Sequence, residues 1–409
     1  MIHRCVNLDW LEVFVLEAEP MTAERFRTLG FVVDERLYGT RIYNEMFTLL
    51  DNDHQPFLEV RRNPKSELIP RESSHLRLVN RYCYFSNAAD LMADFITRYQ
   101  YSFQRIARVD ICLDFERFDS GDWPQRFVNR YLSGHFSKIN QANIHSHGRD
   151  TWDERCWNSL SWGSPTSMVG TKLYNKTMEL KDPSTSLFRK EWIRQAWLEC
   201  GLIDNIHNCT RFDADGHQYE AQIWRVEFSI HSSTKGWFTI ELDGKRKNYQ
   251  SIRNTLDMYN SRDKLLTLFA SLAEHYFHFK HYVEGRRKDR CPDKVLFKWN
   301  AEQTIYHIDN GHILKESLQD RPLQSLLHKL RSYREKADPG EIRDACTLLI
   351  DVIDEQNLRS QLSNRFTLAE YKALQVTLSR KLAGDPTNAA LIFRELKALL
   401  HLNDKTAPF

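Results

Sequence analysis

The sequence predicts an α+β protein in which an antiparallel-sheet domain is followed by an all-α C-terminal module. Two observations carry this prediction. Short segments of alternating apolar and polar residues dominate the chain up to about residue 232, and capped helical patterns follow from about residue 255. The 409 residues are enough for two or three domains. We expect a sheet domain over residues 1–285, in two halves that meet near residue 118, and a helical module over residues 286–409.

The sheet domain is predicted from its strand and helix segments in chain order. The first half contains the strand segments DWLEVFVLEA, RIYNEMFTLLD, PFLEVRRN, LRLVNRYCYF and RVDICLDFE, with a helix through AADLMADFITRYQ. The second half contains helices through WPQRFVNRYL and LFRKEWIRQAWLECG, and strands through GTKLYNKTMEL and AQIWRVEFSIH. The order of these segments indicates mixed α and β structure.

The C-terminal part shows helical patterns without strand signals. DKLLTLFASLAEHYFHFKHYVE has helical periodicity. Farther along, Asp338 precedes Pro339 in a first turn, Thr367 and Glu370 form a capping box, and Gly384 ends that helix. This pattern predicts a separately packed helical module.

Composition narrows the class of protein. The chain is 41% hydrophobic and 27% charged with a net charge of +2, and it has neither a transmembrane-length apolar run nor a signal-peptide pattern. We therefore expect a cytoplasmic protein that does not insert into membranes. The eight cysteines form no CxxC pair and are expected to be reduced and structural. No glycine-rich nucleotide-binding fingerprint occurs, so no nucleotide cofactor is expected.

The strand RVDICLDFE places acidic side chains on one face. Because side chains alternate along a strand, Asp110, Asp114 and Glu116 lie on the face opposite Val109 and Ile111. Clustered carboxylates repel one another unless a cation offsets their charge, and hard oxygen ligands suit Mg²⁺ or Mn²⁺. The alternative is an ordinary solvated face of an antiparallel strand.

Two later strands carry complementary groups. Lys172, Tyr174 and Lys176 fall on one face of the GTKLYNKTMEL segment, and Arg225 and Glu227 share a face of WRVEFSIH. If the three strands are neighbours, their polar faces form one site with acids, cations and a phenol. A tyrosine hydroxyl, with a pKa near ~10, becomes a good nucleophile only when its phenolate is stabilised. Lys172, Lys176, Arg225 and a metal could do this; otherwise Tyr174 is a packed aromatic.

Two basic runs and two histidine pairs are further candidates. The runs are solvated surfaces or nucleic-acid contacts, and their cations include Lys245, Arg246, Lys247, Arg253, Arg286, Arg287 and Lys288. His145 and His147 flank a serine in an expected loop and are an alternative metal pair. His275 and His278 are expected one helical turn apart, where an aromatic-rich packed helix is favoured over a zinc site because no third ligand is spaced for it.

The order of RVDICLDFE, KLYNK and WRVEFSIH, after DWLEVFV, resembles the rolling-circle plasmid initiators of the replication initiation factor family and the related relaxases of conjugative elements. The resemblance covers about residues 8–232, and the Tyr-Asn-Lys triplet is its most specific part. It implies Tyr174 as the nucleophile that nicks one DNA strand and Lys176 as a phosphate contact. It also implies Asp110, Asp114 and Glu227 as acids of a metal site.

The resemblance implies a replication initiator or relaxase that cuts through a covalent 5′-phosphotyrosine and leaves a 3′ hydroxyl. Its expected cofactor is a divalent metal, and its expected partner is origin or transfer-site DNA that is single-stranded at the nick. A helicase and a second copy of the chain are candidate protein partners. The alternative is a non-catalytic DNA-binding or scaffold protein of a mobile element. A tyrosine recombinase is disfavoured because its tyrosine lies late in a mostly helical domain.

Overall fold

The fold is known from a computed structural model that describes residues 3–307. The segments left out of this range are 66–68, 140–143, 151–154, 164–168, 182–189, 214, 232–236, 242–248, 288–289 and 301–302. The chain divides into two compact units, Met1–Asp309 and Asn310–Phe409. Of the helical module predicted over 286–409, the described residues end at 307 and belong to the first unit, so the account below concerns that unit.

The strands fall into an early and a late group. The early strands are β1 (Arg4–Glu17), β2 (Val32–Glu35), β3 (Tyr43–Leu50), β4 (Pro56–Pro64), β5 (Ser73–Leu78) and β6 (Tyr101–Phe115). The late strands are β7 (Phe136–Lys138), β8 (Ile144–Asp150), β9 (Arg155–Trp162), β10 (Val169–Asn175), β11 (Thr210–Phe212), β12 (Gln218–Glu220), β13 (Trp224–His231), β14 (Trp237–Glu241), β15 (Tyr249–Arg253), β16 (Phe279–His281), β17 (Asp293–Lys294) and β18 (Tyr306–His307).

The helices of the described range are short, apart from two that pack on the sheet. They are α1 (Ala23–Thr28), α2 (Asn80–Cys83), α3 (Ala88–Arg98), α4 (Pro124–Leu132), α5 (Lys176–Lys181), α6 (Glu191–Glu199) and α7 (Arg262–Tyr276), with a 3₁₀ turn at Leu256–Tyr259. Side-chain caps explain where α1 and α7 begin, because Thr22 accepts a hydrogen bond from the Arg25 amide and Ser261 accepts one from the Lys264 amide.

Ten strands form one sheet in the order β2-β3-β4-β5-β1-β6-β13-β10-β9-β8. Every pairing in it is antiparallel. The six early strands make one side of the sheet and four late strands make the other, with β6 and β13 paired at the junction. The mixed helix and antiparallel-sheet architecture confirms the α+β prediction for this unit.

One face of the sheet centre is an apolar core. Ile111 and Leu113 of β6 and Val226 and Phe228 of β13 are fully buried there. Helix α7 covers this face, and its Phe269 ring lies 5.0 Å from the Phe228 ring, centroid to centroid. Because paired antiparallel residues point to the same side, the alternate residues of both strands must lie on the other face.

Several local predictions were wrong. The segment LRLVNRYCYF was expected to be one strand, but β5 ends at Leu78 and α2 follows. Strands also continue beyond residue 255 as β16, β17 and β18, which pair with β7, β16 and β14 respectively. These strands have only two or three residues each, too few for an alternating pattern to be visible in the sequence.

The histidine pairs also lie in other elements than expected. Helix α7 ends at Tyr276, so His278 is not one helical turn from His275; instead its Nε2 lies 2.8 Å from Asp293 Oδ1. His145 and His147 lie within strand β8 rather than in a loop.

Candidate active site

The centre of the candidate site is set by strand register. Tyr174 of β10 is directly opposite Arg225 of β13, and Arg225 is directly opposite Asp114 of β6. One row along, Lys172 is opposite Glu227. Directly paired residues of antiparallel strands share a face. The prediction that three strands pair with their polar faces on the same side is therefore confirmed by the register.

Tyr174 makes two polar contacts at this face. Its hydroxyl donates a hydrogen bond to Glu227 Oε2 at 2.9 Å, and Lys176 Nζ lies 3.4 Å from the same hydroxyl oxygen. Lys172 Nζ donates to the other carboxylate oxygen of Glu227 at 2.9 Å. These side chains line an open cleft of about 500 Å³, together with Asp110. Tyr174 is thus half-buried in a polar cleft and is not part of the apolar core.

Lys176 reaches the Tyr174 hydroxyl because strand β10 ends at the residue before it. The segment GTKLYNKTMEL was expected to continue as a strand past Lys176, but β10 ends at Asn175 and α5 begins at Lys176. The Asn175 side-chain oxygen accepts a hydrogen bond from the Met178 amide at 2.9 Å and so caps the new helix. Lys176 is only 2% exposed and forms an ion pair of 2.6 Å with Glu179. The helix start therefore turns this cation back toward the tyrosine.

The tyrosine is not activated in the way the sequence suggested. Burial and the negative charge of Glu227 raise the pKa of Tyr174 well above its ordinary value, and the charge of Arg225 does not offset them. Lys172 donates its hydrogen bond to Glu227, and Arg225 donates to Asp114. Neither cation is therefore directed at the phenol oxygen. The phenol is therefore protonated at neutral pH, and additional positive charge is needed before it can react as phenolate.

Asp110 and Glu227 form a buried carboxylate pair in the cleft. They are 2% and 4% exposed. Burial raises the pKa of Asp110 to about 6; the charge of Glu227 adds to this shift, while a hydrogen bond from Arg108 opposes it. Arg108 compensates the charge of the Asp110 carboxylate, because it donates to Oδ1 from Nε at 2.9 Å and to Oδ2 from a terminal nitrogen. The hard oxygens of Asp110 and Glu227 in an open cleft suit a divalent cation such as Mg²⁺ or Mn²⁺, which would replace the partly exposed Arg108 as the partner of Asp110.

Asp9 is a further carboxylate of the cleft, and the sequence analysis did not select it. It lies at a register shift of β1 between Leu8 and Trp10, where one residue is left out of the regular pairing with β6. Such bulges redirect a side chain. Burial alone would raise the pKa of Asp9, but Arg225 and Lys176 outweigh burial and hold the pKa below its usual range. Period-two alternation cannot reveal a bulge, so the sequence carried no signal for this residue.

Asp114 has a different environment from Asp110. It is fully buried and accepts two hydrogen bonds from Arg225, from Nε at 2.6 Å and from a terminal nitrogen at 2.7 Å. Trp197 of α6 donates a third at 2.7 Å. Asp114 does not line the cleft. The prediction of Asp114 as a metal ligand therefore needs correction, because its oxygens are occupied by structural partners.

Arg225 is likewise a positioning group rather than a group exposed to a substrate. It is fully buried, and besides Asp114 it donates to Asp9 Oδ1 at 2.8 Å and to the Tyr84 hydroxyl at 2.7 Å. Tyr84 in turn donates to Asp9 at 2.7 Å. The predicted solvated face is thus a closed, hydrogen-bonded network at this end. A buried ion pair with several hydrogen bonds orients its neighbours, and removing one of its partners strongly destabilises the protein.

The predicted DNA-contact cations are only partly described. Arg286 and Arg287 are exposed, and Arg253 is the last residue of β15. Lys245, Arg246, Lys247 and Lys288 lie outside the described residues.

A second basic feature, missed in the sequence, shares the sheet face of the cleft. The Arg77 and Arg108 guanidinium carbons lie 4.3 and 4.4 Å from the Trp10 ring centroid, and that of Arg105 lies 4.6 Å from the Phe14 ring. Arg61 lies one strand farther out, beside Glu12 at 3.1 Å. We call Arg61, Arg77, Arg105 and Arg108 the arginine strip.

The arginine strip extends from the cleft across the early strands. Trp10 is paired with Asp110, so the two share a face, and Arg108 precedes Asp110 by two residues on β6. Three buried acids, Glu12, Glu59 and Asp110, form ion pairs with arginines of the strip, so the four arginines leave an excess of one positive charge. The arginines come from three separate strands, so they do not form a basic run that could be recognised in the sequence.

Asp213, Asp215 and His217 can bring their ligand atoms within 4.8 Å of one another on an exposed turn. The Asp213 side chain already accepts hydrogen bonds from the Asp215 and His217 amides, as in an ordinary turn. None of these three exposed residues lines the cleft, and the cluster supports no site.

No family model and no curated protein matches the chain. One similar solved structure is that of a rolling circle replication initiator protein from Geobacillus stearothermophilus. The similarity covers 71% of this chain and 92% of the other at 13% sequence identity, with a TM-score of 0.41. Among the described residues, no helix has the length and apolar character needed to cross a membrane.

Proposed function

We propose that the protein is a replication initiator or relaxase that nicks one strand of DNA, with Tyr174 as the nucleophile. The observation that carries the proposal is the contact between the Tyr174 hydroxyl and Glu227 Oε2, 2.9 Å apart in a cleft that also contains Asp110 and Lys176. A tyrosine held between a carboxylate and a buried cation, at an open face rather than in the core, is suited to nucleophilic attack.

The proposed step is a transesterification. The Tyr174 oxygen attacks the phosphorus of a phosphodiester, and its proton passes to Glu227, which already accepts its hydrogen bond. The bond from phosphorus to the 3′ oxygen breaks, and that oxygen leaves as a 3′ hydroxyl after taking up a proton. The phosphate stays on Tyr174 as a 5′-phosphotyrosine. Lys176, beside the hydroxyl, stabilises the negative charge that develops on the phosphoryl oxygens.

Asp110 and Glu227 are the residues proposed to hold a divalent metal, with Asp9 as a further oxygen donor in the same cleft. Bound there, the metal would supply the positive charge that stabilises a phenolate and the charge on the phosphorane. Burial and, after it, the charge of Glu227 raise the pKa values of Tyr174 and Asp110, so a cation bound beside them would stabilise both anions.

The arginine strip is proposed as the path of the bound strand. Its cations line the same sheet face as Tyr174, and phosphate contacts of this kind give affinity without sequence selectivity. The predicted contacts at Lys245, Arg246, Lys247, Arg253, Arg286, Arg287 and Lys288 remain proposals for the flanking duplex. The origin or transfer-site sequence is left to experiment.

A covalent capture experiment tests the function and does not require a known recognition sequence. The full chain is incubated with Mn²⁺ and a pool of randomised single-stranded oligonucleotides, and DNA that stays bound after denaturation is amplified and sequenced. The proposal predicts enrichment of one family of sequences with a defined cut position. Reversible binding without any covalent capture would favour the alternative of a non-catalytic DNA-binding protein.

The metal site predicts a cation-dependent gain in stability. A ligand that binds only the folded state at 100 times its Kd should raise the unfolding midpoint by on the order of 3–6 °C for a unit of this size. Differential scanning fluorimetry with Mn²⁺ should show this shift for the native chain. The shift should disappear in Asp110→Asn and persist in Asp213→Asn, which alters only the exposed turn. An equal shift in both variants would place the cation elsewhere.

The arginine strip predicts a sequence-independent loss of affinity. Arg105 is exposed on the Phe14 ring, so Arg105→Ala should fold normally and bind single-stranded DNA about fivefold more weakly. The slope of affinity against salt concentration should also decrease by about one. Arg98→Ala on α3 is the matched exposed control and should bind like the native chain. Equal affinities for both variants in fluorescence anisotropy would remove the strip from the DNA path.

A further inference from the structure

A pair of cysteines far apart in sequence meets beside the buried network. The sulfur atoms of Cys5, on β1, and Cys200, the residue after the end of α6, lie 2.8 Å apart. They are separated by 195 positions in the chain. The other cysteines whose side chains the structure describes are Cys83, Cys112, Cys209 and Cys291. Sequence spacing had suggested only scattered structural thiols, because a contact of this kind depends on the fold.

The surroundings hold the two thiols together. Cys5 is fully buried, and its sulfur also lies 3.4 Å from the Ala196 carbonyl oxygen of α6. His3 Nδ1 lies 3.2 Å from the Cys200 carbonyl oxygen, which fixes the end of α6 against the start of β1. These contacts tether the start of β1 to the end of α6 and keep the two sulfur atoms next to one another.

The two thiols have complementary reactivity. Cys200 is half-buried, so a small reagent has access to it, whereas Cys5 has none. The hydrogen bond with Cys5 lowers the pKa of Cys200, and the same contact together with burial raises the pKa of Cys5. The accessible thiol is therefore the better thiolate, and the buried one is placed to resolve a mixed disulfide.

We propose that Cys5 and Cys200 form a reversible disulfide when the protein meets a small-molecule disulfide oxidant. The Cys200 thiolate attacks the oxidant, forming a mixed disulfide and releasing one thiolate. Cys5 then loses its proton and attacks the Cys200 sulfur, which releases the second thiolate. Two protein thiols become one disulfide, and one molecule of oxidant becomes two thiols.

The disulfide would tie α6 to the edge of the buried network. Cys5 is directly opposite Asp114 in the sheet, and Trp197 of α6 donates its hydrogen bond to Asp114. The bond would therefore join covalently two elements that now meet at Asp114 through non-covalent contacts. This inference is independent of the proposed nicking activity, since it requires only the thiol pair.

Peptide mapping of the full chain tests the inference. The folded protein is incubated with oxidised glutathione, quenched in acid, alkylated and digested. The expected result is a linked pair of peptides containing Cys5 and Cys200, lost on treatment with dithiothreitol. Cys200→Ser should abolish the link, while Cys209→Ser, at another buried cysteine, should keep it.

Two outcomes would overturn the inference. One is alkylation of both Cys5 and Cys200 after oxidation of the folded chain. The other is a glutathione adduct that persists on Cys200 while Cys5 is alkylated. Both are read on the native chain, so the test stands even where a serine variant folds poorly.

Discussion

Tyr174→Phe should abolish formation of a covalent DNA adduct while leaving DNA binding intact. Phenylalanine keeps the ring and the strand propensity and removes only the attacking oxygen, so strand cleavage should fall by at least about 10⁴-fold. Loss of the hydrogen bond to Glu227 should cost about 1 kcal/mol of stability, too little to unfold the chain. Cleavage of a captured oligonucleotide and anisotropy with the same DNA measure the two properties.

Tyr219→Phe is the matched control for this experiment. The Tyr219 hydroxyl also donates to a glutamate, Glu116 Oε2 at 3.3 Å, but Tyr219 is not part of the cleft. The control should cleave at the native rate. If Tyr174→Phe cleaved normally and Tyr219→Phe did not, the nucleophile would have been assigned to the wrong residue.

Asp114→Asn should destabilise the protein by about 3–5 kcal/mol, because the fully buried Arg225 would lose its bidentate carboxylate partner. Asp110→Asn, four residues earlier on the same strand, should stay within about 1 kcal/mol of the native chain. Burial and the nearby Glu227 disfavour a charge at Asp110, and this offsets the loss of its ion pair with the partly exposed Arg108. Urea unfolding at neutral pH measures both variants.

The contrast between these two variants separates a structural acid from a metal-site acid. Asp110→Asn should keep its stability but lose the response to Mn²⁺. Equal destabilisation of the two variants would show that Asp110 also belongs to the structural network. Near-native stability of Asp114→Asn would show that Arg225 finds another partner and that Asp114 remains a candidate ligand.

Much of the sheet could be predicted because its strands alternate cleanly. β6, β10 and β13 have buried apolar residues at every second position, so the faces of Asp110, Tyr174 and Glu227 followed from the period of two. Their pairing in one sheet was a consistent hypothesis because each strand carried polar groups on one side only. The register then brought Tyr174 and Glu227 into contact.

The roles of single residues depended on features that lack a local signal. Alternation places Asp110 and Asp114 on the same face. Only tertiary structure reveals that the fully buried Arg225 and Trp197 hold Asp114, whereas the partner of Asp110 is the partly exposed Arg108. Asp9 enters the cleft through a bulge, and the arginine strip is assembled from separate strands. The periodicity of a sequence indicates which face of a strand or helix a residue occupies. It does not indicate which side chains from other elements contact that residue.

Nor did the sequence show how the cations are used. The lysines flanking Tyr174 were expected to act on the phenol together, yet Lys172 is paired with Glu227 and only Lys176 lies near the hydroxyl. The start of α5 at Lys176 is responsible, since it directs the two lysines differently.

The most direct test is to locate the DNA attachment by mass spectrometry. The full chain is incubated with Mn²⁺ and a captured oligonucleotide, digested with protease and nuclease, and the nucleotide-bearing peptide is sequenced by fragmentation. The account predicts a phosphate bridge between Tyr174 and the 5′ end of the downstream strand, with a free 3′ hydroxyl on the other product. Attachment at any other residue, or cleavage that leaves no attachment, would contradict it.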